Sequence, residues 1–222
     1  MFPDVTTAPV FFTVAMGFHR LYSPAIPSGR TRPLFSVRSR RKDMRDWNVV
    51  ISVKNRGFRP VLEIMEELGT IEKTDFFNIL VMKVADTHRF METVREWITD
   101  DPHLLNLTGR IIPVTETFNF QSPEEFREKV YGAAENFAGT LAGKRFHVRI
   151  HRRGFKGKIS SQKEEIFLDE MLIEKTRQQG REAEISFEDP DAIVDVETVG
   201  GRGGTSLWTR EDMKRYPFLH LD

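Results

Sequence analysis

The chain has 222 residues, enough for one large domain or two small ones. Its 33 basic and 33 acidic residues cancel, so bulk charge points to no polyanionic partner and only local clustering can. The absence of cysteine excludes a disulfide scaffold, a thiolate nucleophile and cysteine-ligated zinc or iron–sulfur centres, and no apolar run approaches the roughly 18 residues that span a bilayer.

Residues 1–43 carry Pro3, Pro9, Pro24, Pro27 and Pro33, and a basic run from Arg38 to Lys42 broken only by Ser39. No helical or strand period survives there, so this stretch is expected to be disordered. Three readings compete: a flexible basic arm touching RNA, an organellar transit peptide, or sequence upstream of a misassigned start. The last is preferred, with Met44 as the real start, because ordered patterning begins abruptly after it. The short Val10–Met16 stretch has no basic region before it and reads poorly as a signal peptide.

Trp47, Val49, Ile51 and Val53 alternate as a strand, and Pro60 opens an apolar-periodic helix with Val61, Ile64, Met65 and Leu68 that Gly69 closes. A strand or strand pair is predicted through Ile71–Val84. Phe90, Val94, Trp97 and Ile98 recur at helical spacing, and Asp101-Pro102 ends that helix. Residues 109–120 read as a further strand. The order β-α-β-β-α-β is a ferredoxin-like split, assigned to residues 44–120.

Ser122-Pro123-Glu124-Glu125 is a helix start: serine caps, proline suits the first turn, and Glu125 reaches back. That helix is predicted to run to Gly143. A strand over Arg145–His151 follows, then a basic loop, then a second capping box at Ser161–Glu164 whose helix ends at Gly180. Strands are predicted at Glu184–Phe187, Ala192–Val199 and Thr205–Thr209, so residues 121–222 form a second, α/β unit and the fold class is α+β.

The strongest local signal runs from Lys144 to Lys158: KRFHVRIHRRGFKGK, with no acid. Strand alternation sends Phe146, Val148 and Ile150 to the core and His147, Arg149 and His151 outward. The predicted RNA-binding set is Lys144, Arg145, Arg149, Arg152, Arg153, Phe155, Lys156 and Lys158, with Arg202 as a secondary contact. Gly154 and Gly157 allow close backbone approach, Phe155 can stack on a base or pin the loop, and the next helix offers its N-terminus to an anion. The competing reading is a solvated basic loop with no partner.

Other patterns carry less. His147 and His151, four apart on a strand, stand about 13 Å from each other, too far to share one ion. Gly200–Gly204 lacks the Lys-Ser/Thr of a phosphate loop and reads as a hairpin turn. Glu188, Asp189, Asp191, Asp195 and Glu197 read as turn chemistry and as the solvent face of a strand. No catalytic residue, metal ligand or cofactor is predicted.

From about Ser122 onward the chain resembles a THUMP domain, the RNA-binding module of several tRNA-modifying proteins. The resemblance rests on Phe146–Gly154 leading to Ser160-Ser161, the helix ending at Gly180, and Ile185–Asp191 followed by Ile193–Glu197. It implies that residues 44–120 resemble the ferredoxin-like companion that helps such a domain grip the tRNA acceptor end. Because the chain stops at Asp222, with Tyr216–Leu219 resembling a closing segment, the stand-alone proteins that assist tRNA cytidine acetyltransferase are the nearer analogy. The expectation is therefore a cytoplasmic tRNA-binding adaptor that is no enzyme, presents tRNA to a separate modifying enzyme and contacts no membrane. The alternatives are an RNA-modifying enzyme with a minimal active site at the acidic cluster or basic loop, and a protein-interaction module.

Overall fold

The computed structural model describes residues 46–54 and 56–221. The readings of residues 1–43 lie outside them. The architecture is mixed α+β, with a four-stranded and a five-stranded sheet.

The first sheet is built from β1 (Val49–Val53), β2 (Thr70–Lys73), β3 (Ile79–Lys83) and β4 (Thr108–Pro113), in the order β2-β3-β1-β4 with every pair antiparallel. Its helices are α1 (Phe58–Met65), α2 (Thr87–Asp100) and the short α3 (His103–Leu107). Helix α2 starts where Asp86 accepts the Arg89 N–H at 3.0 Å, and it buries the stripe Phe90, Met91, Val94 and Ile98. Trp47, Ile51, Met65, Leu80, Met82, Ile111 and Ile112 fill the core beneath.

The second sheet has the order β5-β9-β8-β6-β7, from β5 (Glu116–Asn119), β6 (Arg145–Arg153), β7 (Glu184–Ile185), β8 (Ala192–Val199) and β9 (Arg202–Thr209). β6 runs parallel to both β7 and β8, and the other pairs are antiparallel. Helices α4 (Pro123–Glu135), α5 (Ala138–Leu141) and α6 (Ser161–Gln178) cover one face, packing on Phe146, Val148, Ile150, Val194 and Val196. The strand predicted over 109–120 is thus two strands in different sheets: Pro113 ends the first sheet's share, and β5 pairs with β9. The helix predicted to reach Gly143 breaks after Glu135 into α4 and α5.

The other face of the second sheet is covered too. Ile193 and Trp208 join the first core, and after α7 (Arg210–Arg215) the chain returns so that Tyr216, Phe218, Leu219 and Leu221 enter it as well. Ile111 N–H donates to the Phe218 carbonyl at 2.9 Å, closing the outer edge of β4 at that point. Close approach of the sheets needs a glycine: a Cβ on Gly204 would stand 2.6 Å from Val114 Cγ2. Gly200 turns the β8–β9 hairpin at φ +61°.

Strand β7 covers only the start of β6, and the side chains of α6 complete that edge. Asp169 accepts the Val148 N–H at 2.9 Å and Glu165 accepts the Ile150 N–H at 2.8 Å. The spacings match, since four helical residues rise about 6 Å and two strand residues span about 6.6 Å.

Candidate nucleic-acid interface

The basic segment predicted as one surface is divided by the fold. A strand of nine residues holds its ends roughly 26 Å apart, so Lys144 and Arg145 lie at the opposite end of β6 from Lys156 and Lys158. Arg145 is bound to Asp189 at 2.6 Å and Asp191 at 3.2 Å. Arg153 pairs with the buried Glu197, Arg149 lies near enough to Asp195 to favour its charged form, and Arg152 turns onto the Gly154 carbonyl. Phe155, at φ +50°, packs its ring 5.0 Å from that of Phe120 and so pins the loop. Lys156 and Lys158 reach solvent.

Arg202 is not on the surface. It is 9% exposed, stacks over Trp47, and donates to the Trp47 carbonyl, Thr117 Oγ1 and Asn119 Oδ1 while pairing with Asp46. With its donors committed inside the protein it serves as a clamp, and the predicted phosphate contact is withdrawn.

What Lys158 does adjoin is a groove whose lining includes Arg127, Lys163 and Ser160 together with the acids Glu124, Glu128 and Glu164. Two helix N-termini open onto it. Ser122 caps α4 by accepting the Glu125 N–H at 3.1 Å, while Glu125 reaches back to the Gln121 N–H at 2.7 Å. The cap of α6 is Ser160, accepting from Lys163 N–H, one residue before the predicted Ser161. The groove's buried acid, Glu164, is held by a two-pronged pair with Arg127 at 2.6 and 2.8 Å. Lys158, Lys163 and two helix N-termini thus face solvent together and favour an anion, while Glu124 and Glu128 on the same lining oppose it. Arg127 and Lys163 were missed in the sequence because they lie on α4 and α6, outside the basic run.

The face of β6 expected to meet water is instead covered, and its polar side chains form a second cluster. His147 is fully buried, bonded to the Ser186 carbonyl at 2.9 Å and stacked against Phe187. Asp195 and Glu197, read as a solvent face, are both fully buried. The correction has one cause: β8 is a central strand whose two faces are both covered, so alternation does not mark an outside. Around these acids stand His151, Arg153 and, from the first sheet, Arg110. Arg110 Nη1 is 2.7 Å from His151 Nε2, and its Nη2 is 3.3 Å from Glu197 Oε1.

Burial raises the Asp195 carboxyl, with Glu197 adding to the shift, and burial likewise raises Glu197 against the pull of Arg153 and Arg110. His151 is pushed down to about 3 by burial and by the nearby Arg110, Arg153 and Arg149, so its ring stays neutral. Its pairing with His147, dismissed from the sequence, does not form; His151, Asp195 and Glu197 instead bring potential metal-ligating atoms within 4.8 Å of one another.

No helix among the described residues is long and apolar enough to cross a membrane. No family model matches the sequence, and no curated protein matches it. Solved structures with a similar fold include PH1313 from Pyrococcus horikoshii Ot3, at 14% identity over 72% of this chain and 54% of that one, TM-score 0.48. TrmN from Thermus thermophilus aligns at 18% identity over 72% of this chain and 44% of that one, TM-score 0.44. A 4-thiouridine synthetase in complex with RNA and ATP aligns at 10% identity over 74% and 42%, TM-score 0.47. The chain thus spans about half or less of the length of these proteins. Further similar structures are those of a putative methyltransferase, a predicted N6-adenine-specific DNA methylase and a possible methylase. The expectation of an adaptor that is no enzyme is corrected accordingly, because the proteins so named are enzymes; at these identities the likeness itself is one of fold.

Proposed function

We propose that the chain recognises RNA, tRNA in the first instance, as part of an RNA-modifying enzyme, with the α4–α6 groove holding the phosphate backbone. The observation that carries this is the meeting of two capped helix N-termini with Lys158 and Lys163 at one solvent-facing groove. The element order supports it. The β2-β3-β1-β4 order is the one expected of a ferredoxin-like split, and the two helices, strand, long helix and closing strands after Ser122 are those expected of a THUMP-type unit. On this reading the two units divide near residue 120, and Lys156, Lys158, Lys163 and the loop's glycines do the gripping.

Reversing two charges, Lys158→Glu with Lys163→Glu, is expected to weaken tRNA binding and to lower the slope of log affinity against log salt by about 2, near one per phosphate contact. Lys144→Glu, at the far end of β6, should leave both nearly unchanged. Fluorescence anisotropy over a salt series reads the difference, and equal losses in the two variants would remove the groove from the interface. Incubating the protein with tRNA and group donors, followed by nucleoside analysis, tests the enzyme reading separately.

A further inference from the structure

We propose that His151, Asp195 and Glu197 form a binding site for one divalent cation of the zinc or manganese class, with Arg110 as its built-in competitor. The argument begins with unmatched acceptors. Both carboxylate oxygens of Asp195 and Oγ of Ser206 have no hydrogen-bond partner among the described residues, and Oε1 of Glu197 has an ion pair with Arg110 at 3.3 Å in place of one; all belong to buried side chains. Asp195 and Ser206 are directly opposed on β8 and β9, with His151 opposite Glu197 on β6, so neighbouring strands direct these groups into one space. Buried oxygens without donors are costly, and a cation is the partner that satisfies several at once.

His151 is prepared for this role. A hydrogen bond to the Leu221 backbone fixes the ring, and Nε2 faces the cluster, 3.5 Å from Asp195 Oδ1. Because Arg110 donates toward Nε2, that nitrogen carries the lone pair. A backbone carbonyl orienting one ring nitrogen while the other is offered to the ion is the usual arrangement behind a metal-bound histidine. One imidazole with two carboxylates suits zinc or manganese rather than a soft ion. At bond lengths of about 2.0–2.2 Å no two ligand atoms stand more than about 4.4 Å apart, so the widest pair draws in by roughly half an ångström.

The guanidinium of Arg110 stands where the ion would approach Nε2. Its side chain is 16% exposed, and its buried Nε has no hydrogen-bond partner among the described residues, so it is held less fully than a guanidinium with every donor paired. Arg153 remains paired with Glu197 Oε2 in either state. Two positive groups thus compete for one set of carboxylates, and removing Arg110 favours the metal.

The test uses the full chain, freed of metal by chelation and dialysis, and titrated calorimetrically with zinc chloride alone or manganese chloride alone. The expected result is one saturable ion per chain and a higher thermal midpoint, with R110M binding at least about tenfold tighter and D195N and H151Q losing the uptake. Absence of stoichiometric binding in both the native protein and R110M overturns the proposal, as does uptake that D195N and H151Q leave intact. If D195N does not fold, the comparison of native protein with R110M decides alone: no tightening, no site.

Discussion

Replacing Arg202 by methionine is expected to lower the unfolding free energy by about 3 kcal/mol and the thermal midpoint by about 6–12 °C. The guanidinium joins the approach to β1, through the Trp47 carbonyl, to β5, through Thr117 and Asn119, from its own place on β9. Methionine fills much of the volume but leaves the Trp47 carbonyl and the Thr117 hydroxyl without this donor, each at a cost of about 1–3 kcal/mol. The pair with Asp46 adds little, because that carboxylate is 73% exposed. Urea titration measures the loss, and tRNA affinity at a temperature where both proteins are folded should be unchanged. A variant of native stability with a shallower salt slope would mean that Arg202 reaches phosphate after all.

Asp169→Asn is expected to stabilise the protein at pH 8 and to have little effect below about pH 4. Burial lifts the Asp169 carboxyl to about 7, opposed by the Val148 N–H it accepts and reinforced by Glu165. A carboxyl raised above its ordinary 3.8 contributes stability that is complete below that value and is lost as pH climbs through about 7. The shift corresponds to roughly 4 kcal/mol at most, and relaxation around α6 reduces what is measured to about 1–3 kcal/mol. Asparagine keeps an acceptor for the Val148 N–H without the buried charge, so its advantage should open between about pH 4 and 7 and stay level above that. Chemical denaturation across that window checks it, and a stability difference independent of pH would refute the assignment.

Much of the fold is legible in the chain because its signals are local. Capping serine at Ser122, the stripe Phe90, Val94 and Ile98, the Gly200 turn and the run Ala192–Val199 each depend on neighbours a few residues away. The single strand expected over 109–120 failed because nothing local tells that Ile112 pairs with Val50 while Phe118 pairs with Gly203. The surface reading failed for a related reason. Basic residues adjacent in sequence are carried apart by the length of β6, while Lys158, Lys163 and Arg127 meet only when α4 and α6 pack side by side.

The sequence by itself determined most of the longer helices and strands and their order along the chain. The tertiary structure alone decided which polar residues face water. His151, Asp195 and Glu197 alternate with apolar neighbours as a solvent face would, yet β4 and the returning C-terminal segment cover them. Alternation specifies which side chains share a face of a strand, but whether that face is wet depends on what packs against it, and that is a property of contacts between residues distant in the chain.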